Sequence, residues 1–253
     1  MKRTMTKSRS GLTLVEVTVT LGLLAGLGTA IAATTGSATT VADLSIHQAT
    51  VEGQLARLLA ILRPELRSAG IRQSVGSPAA PLQATPGRTG DVLQYQVPVQ
   101  VGGSFYDFTN RHMNWGAGKT INGWMELRFV PERLLDEAAF GVGGADLNGN
   151  GSRNDTGLRV GRIVRRALAA DRVTQVGGDV VLASNVLDRG SPLFAVDGQG
   201  AARLIDPKAS VTTTAGTIVI DVTFLGLAKP SGATRAVAVL SRARTSIRPR
   251  NVE

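Results

Sequence analysis

An α+β fold is predicted, in which one long N-terminal helix packs on a C-terminal antiparallel β-sheet head. Three observations predict it. Residues 17–42 carry no charge and no proline, residues 43–70 carry an apolar stripe at helical spacing, and beyond residue 90 the apolar period becomes two. Only the first element reads as a substantial helix. Loop-rich strands following a single helix suit an antiparallel sheet with that helix on one face. No internal repeat at a solenoid period interrupts this reading.

The chain opens on a basic leader, residues 1–11, with Lys2, Arg3, Lys7 and Arg9 ahead of Gly11. The run G-L-T-L-V-E from Gly11 to Glu16 follows and leads into the apolar stretch. About 20 apolar residues rising 1.5 Å each cover the hydrocarbon core of a bilayer, so residues 12–42 are long enough to span one as a helix. A charge inside such a segment costs at least about 2.5 kcal/mol, so Glu16 needs a partner, and a free α-amine is the obvious one. Gly22 and Gly26 form a small-xxx-small pair that lets helix backbones approach closely.

The second half of the helix, residues 43–73, is amphipathic. Its stripe is Leu44, Val51, Leu55, Leu58, Leu59, Leu62 and Leu66, mostly three or four apart. Gly36 and Gly53 loosen the rod, Pro64 predicts a bend or restart, and Gly70 predicts the stop. Residues 74–90, rich in Pro, Gly, Ala, Ser and Thr, read as a linker to the head, residues 91–253. Period-two segments follow at Leu93, Tyr95, Val97 and Val99, at Met125, Leu127 and Phe129, at Ile218, Ile220, Val222 and Phe224, and near Ala236 to Leu240.

Gly11 to Glu16 resembles the type IV prepilins, in which a short basic leader ends in Gly and the fifth residue after the cut is Glu; Leu12 stands where the family prefers Phe. The resemblance implies a minor pilin or pseudopilin. Prepilin peptidase would cut between Gly11 and Leu12 and methylate the new amine of Leu12. Glu16 would neutralise the amine of a neighbouring subunit during filament assembly. The head segments L-R-P-E-L-R-S-A-G (62–70), D-V-L-Q-Y (91–95), V-L-A-S-N-V-L-D (181–188) and R-P-R-N (248–251) look like PilW-like minor pilins and the J-type pseudopilins of type II secretion. Such subunits are held in the inner membrane, N-terminus cytoplasmic and head periplasmic, before joining other pilins in a pilus or pseudopilus, where tip positions are typical.

The same leader also fits an ordinary secretory signal, with Ala30, Ile31 and Ala32 as an A-x-A cleavage site. That alternative makes the chain a secreted or membrane-tethered binding domain, including a calcium-binding adhesin. Its metal loop would be Asp146, Asn148, Asn150, Ser152 and Asp155, in D-L-N-G-N-G-S-R-N-D, where alternate oxygen side chains and a following Gly151 resemble the first half of a calcium loop. Gly157 occupies the position of the bidentate acid, and an Asx-rich surface turn accounts for the same residues. Calcium is the only cofactor this sequence suggests.

Charge and composition exclude more than they assign. The chain carries +9, and +5 once the leader's four basic residues are set aside, spread too evenly to single out DNA or a surface ligand. Without cysteine there are no disulfides, thiolate metal sites or cysteine nucleophile. W-G-A-G-K-T (115–120) ends like a phosphate loop, but Met113 stands where its first glycine belongs. No acid, base and nucleophile converge in pattern, so the expectation is a structural protein and not an enzyme.

Overall fold

A computed structural model describes residues 13–69, 82–84, 91–109, 112–114, 123–141, 143–191, 193–197, 202–203, 217–229 and 234–249. Gly11 and Leu12, most of the 74–90 segment and residues 115–120 lie outside the described residues. The first element, α1, is one helix of 54 residues, Leu14–Arg67, about 80 Å long at 1.5 Å per residue.

The expected restart at Pro64 does not occur, and the helix stops short of residue 73. Pro64 lacks the N–H that would reach back one turn, but it stands in the last turn, where only one intrahelical bond is lost. Ser68 then caps the end: its N–H donates to the carbonyls of Pro64 and Glu65 at 3.2 and 3.1 Å, and its hydroxyl donates to Glu65 O at 2.7 Å.

Eleven strands are described: β1 (Leu82–Ala84), β2 (Val92–Gln96), β3 (Tyr106–Asp107), β4 (His112–Met113), β5 (Trp124–Leu135), β6 (Leu158–Leu168), β7 (Gln175–Leu187), β8 (Phe194–Asp197), β9 (Ala202–Arg203), β10 (Thr217–Ala228) and β11 (Val237–Ile247). Nine form one sheet, ordered β1-β2-β5-β6-β7-β10-β8-β9 with β11 beside β10, while β3 and β4 pair separately. Every described pairing is antiparallel. The expected linker therefore contains a strand, β1, which continues the sheet beyond β2.

Because β1 and β2 also come against β8, the sheet curls around the far end of α1. The predicted stripe is what it encloses. Val51, Leu55, Leu58, Leu62 and Leu66 are buried against Leu93, Tyr95, Leu127, Phe129 and the inward row of β10, Ile218, Ile220, Val222 and Phe224. Each such side chain contributes roughly 1.5–3 kcal/mol by leaving water. Gly226 lets the helix approach: a Cβ there would stand 2.7 Å from Val51 Cγ2.

A polar clasp fixes the register of helix on sheet. Arg165 of β6 meets Glu65 Oε2 at 2.7 Å, and the fully buried Tyr95 hydroxyl donates to Glu65 Oε1 at 2.7 Å. Burial, then the Glu65 carboxylate, push the Tyr95 phenol well above its ordinary range, so it remains a donor. A smaller core on the opposite face joins Phe140, Leu147, Val160, Leu187 and Leu225 beneath the chain between β5 and β6.

Replacing Glu65 with Ala leaves the Tyr95 hydroxyl and Arg165 without their acceptor. A loss of about 2–3 kcal/mol is expected in denaturant unfolding of the full chain in detergent, whereas Tyr95→Phe should cost about 1 kcal/mol. Equal effects from the two substitutions would show that the clasp is not centred on Glu65.

Candidate functional site

Among the described residues, no side chain of the head covers the first half of α1. Its first buried residue is Val51, and Leu14, Val15, Leu21, Leu23, Leu24, Leu27 and Ile31 are all more than half exposed. The uncovered part is apolar all round, unlike a surface helix, which is apolar on one stripe. It is long and apolar enough to cross a membrane: residues 17–42 rise about 39 Å against a hydrocarbon core of about 30 Å.

Its hydroxyl groups suit the same environment. Thr18 donates to Leu14 O at 2.8 Å, Thr20 to Glu16 O at 2.7 Å, Thr29 to Gly26 O at 2.8 Å, Thr34 to Ala30 O at 3.0 Å and Ser37 to Ala33 O at 2.9 Å. These hydroxyls are thus satisfied within the helix, as suits a segment without water. At Gly22 and Gly26, no atom lies within 4 Å of where a Cβ would stand. The fold of this chain therefore does not need glycine there, and any close approach would come from outside it.

Glu16 has a local partner that its isolation in the sequence concealed. Thr13 is the N-cap of α1 and Glu16 its third helical residue, and together they form a capping box. The Thr13 N–H and hydroxyl both donate to Glu16 Oε2, at 2.8 and 3.0 Å, while the Glu16 N–H donates to the Thr13 hydroxyl oxygen at 3.3 Å. The acid also faces the positive end of the helix dipole. Thr-x-x-Glu ahead of an apolar run is the sequence signal for this arrangement.

The structure brings Asp146, Asn148, Asn150, Ser152 and Asp155 into one turn, with each oxygen named below engaged by an N–H group. Asp146 Oδ1 accepts from Gly149 and Asn150 at 2.5 and 3.1 Å, and its Oδ2 from Gly151 at 3.0 Å. Asn148 Oδ1 accepts from Asn150 at 3.0 Å and Asn150 Oδ1 from Ser152 at 2.7 Å. The amides of Asn148 and Asn150, with the Ser152 hydroxyl, hold the Asp155 carboxyl below the usual carboxylate range. These contacts are those of Asx turns, in which side-chain oxygens accept from N–H groups of their own loop. Among the described residues no three His, Cys, Asp or Glu side chains converge as a metal set.

Sequence reasoning missed the residue that holds this turn. Glu137, completely buried, accepts the N–H of Leu147 at 2.7 Å, of Asn148 at 3.4 Å and of Asp155 at 3.1 Å. Arg189 Nε adds a bond to Asn148 O at 2.7 Å. Trp124 is a buried strand residue with the Arg172 guanidinium 5.2 Å over its ring, not an open platform. Comparison with protein-family models, curated proteins and solved structures finds no match for this chain.

Thr13→Val removes the two hydroxyl bonds to Glu16, keeps the one from the Thr13 N–H, and should weaken the first turn by about 1 kcal/mol, read as faster amide exchange confined to residues 14–18. In the head, a depressed carboxyl stabilises the folded state above its ordinary pKa, and that contribution disappears as pH falls through the folded value. Amides of residues 146–155 should therefore lose protection on acidification before those of β10 do. Protection that persists in step with β10 would remove Asp155 as the titrating hold.

Proposed function

We propose that this chain is an assembly subunit of a type IV pilin-class filament, a minor pilin or pseudopilin, and not a catalyst. One observation carries the reading. A single helix leaves an all-round apolar half, headed by one carboxylate, outside a head whose core its other half completes. Such a half-helix has two stable surroundings, lipid and a bundle of like helices, and a filament subunit passes from one to the other.

In this reading prepilin peptidase cuts between Gly11 and Leu12 on the cytoplasmic side, and Leu12 becomes the methylated amino terminus. The head stands in the periplasm while the helix is anchored in the inner membrane. On assembly, Glu16 meets the Leu12 amine of a neighbouring subunit, and Gly22 and Gly26 admit that neighbour's helix. The unlike surroundings of the two halves of α1 support this. So does the position of Glu16 in the first turn, one residue ahead of the uncharged run.

The mature N-terminus tests the reading directly. Intact-mass measurement should find a chain beginning at methylated Leu12, and Gly11→Ala should leave the leader attached. A chain beginning at Ala33 would have lost the first third of α1 and would be the secreted binding domain instead. Glu16→Gln, which retains a hydrogen-bonding side chain for Thr13, should leave membrane insertion intact and reduce incorporation into filaments by about tenfold or more, the loss of one buried charge pair. Undiminished incorporation would rule out the charge pairing.

A further inference from the structure

Away from α1, four of the five large exposed aliphatic side chains described in the head lie on or just before one strand, β7; the fifth is Leu134 on β5. Val173, in the turn before β7, and Val176, Val180 and Val181 on it are exposed by 83, 38, 46 and 48%. β6 covers one edge of β7 along its length, but β10 pairs with the other edge only at Val186 and Leu187. Among the described residues, no strand lies against that second edge over residues 175–184. Backbone N–H and C=O groups therefore accompany the valines along an open edge.

The open stretch has defined ends. Gly177 (φ 80°) and Asn185 (φ 56°) are both left-handed, so the run between them, residues 178–184, is extended and bounded by a backbone turn at each end. Val180 stands opposite Arg165 and Val181 opposite Val164, which places the two valines on opposite faces of the sheet. The only charge in the run is Asp179, and Arg166 neutralises it through bonds of 2.8 and 3.0 Å. Neither lysine nor proline, the usual guards of an open edge, occurs in it.

We propose that the first half of β7 receives an extended strand from a neighbouring subunit, by backbone pairing between Gly177 and Asn185. The occupant is an uncharged segment of about seven residues, β-branched or apolar where it flanks Val180 on one face and Val181 on the other. It is not β7 of a second copy in the antiparallel pairing that every described pair of this protein adopts. Pairing two identical edges antiparallel places a two-fold axis normal to the sheet, which turns the two α1 helices to point in opposite directions. Subunits anchored in one membrane cannot meet that way. This last step rests on the membrane-anchored reading of α1 given above.

The test places the photo-crosslinking residue p-benzoylphenylalanine singly at Val176, Val180, Val181 and Ser184 of the full chain in its producing cells. The expected result is crosslinking to one segment of another subunit, with the attachment site advancing along that segment as the probe moves along β7. Val180→Lys with Val181→Lys should reduce the yield from Ser184 by at least about tenfold, with the thermal midpoint in detergent unchanged. Scattered attachment sites, attachment to lipid alone, attachment to β7 of a second copy, or a yield indifferent to the lysines would each overturn the proposal. Repeating the set in Glu16→Gln separates it from the filament reading. A ladder that persists with assembly undiminished sinks the charge pairing and keeps the docking edge; loss of the ladder in the parent chain, with Glu16 still required for assembly, does the reverse.

Discussion

A single uninterrupted helix has to satisfy two surroundings at once, and the rest of the molecule follows from that constraint. From Val51 onward α1 is the centre of the head, with Leu58, Leu62 and Leu66 completely enclosed; before it, no described side chain of the head covers the helix. The sheet curls because its apolar inner row must reach around a cylinder and not across a flat layer. Backbone departures allow this: the register shift between Pro131 and Arg133 on β5 and the three on β6–β7 let the ribbon bend. Gly161 lies at one of them, where a Cβ would overlap the Val130 carbonyl.

Three glutamates, Glu126 and Glu137 buried and Glu65 half-buried, then tie distant parts of the chain to this frame. Glu65 joins the helix to β2 and β6. Glu126, 3% exposed, accepts from Gln94 of β2 at 2.9 Å and from Arg128 at 2.8 Å, with Arg166 of β6 at 3.8 Å. Glu137 holds the Asx turn by backbone N–H groups alone. A buried, paired charge adds little net stability but is costly to leave unpaired, so the main effect of these acids is to exclude other registers of strand and helix.

Much of this frame was legible because the apolar period was clean. The stripe from Leu44 to Leu66 named the buried face of α1, and Ile218, Ile220, Val222 and Phe224 named that of β10. β6 and β7 escaped notice for the opposite reason. In L-R-V-G-R-I-V-R-R-A-L both faces are covered, Val160 by one core and Ile163 by the other, and arginines stand on both, so no apolar-polar alternation survives. Most of the first half of β7 touches no core and presents no period. Glu137 carries no local signature either, since its partners lie 10 to 18 residues ahead. The Thr13 to Glu16 box is fully present in the sequence as Thr-x-x-Glu, although a lone acid ahead of an apolar run points first to a partner on another molecule.

That local partner bears on the proposed assembly without opposing it. Both bonds that Thr13 donates to the carboxylate fall on the same oxygen, Oε2. An ionised carboxylate has two oxygens and about four acceptor sites, so the cap leaves capacity for an ammonium group approaching Oε1. A Glu16 without the cap would swing among rotamers in a medium where its charge is costly, and ordering it would oppose the encounter. Held by Thr13, it would meet an incoming amine already placed at the head of the helix. Cleavage between Gly11 and Leu12 would leave the Thr13 peptide N–H intact, so the same cap serves the chain before and after processing.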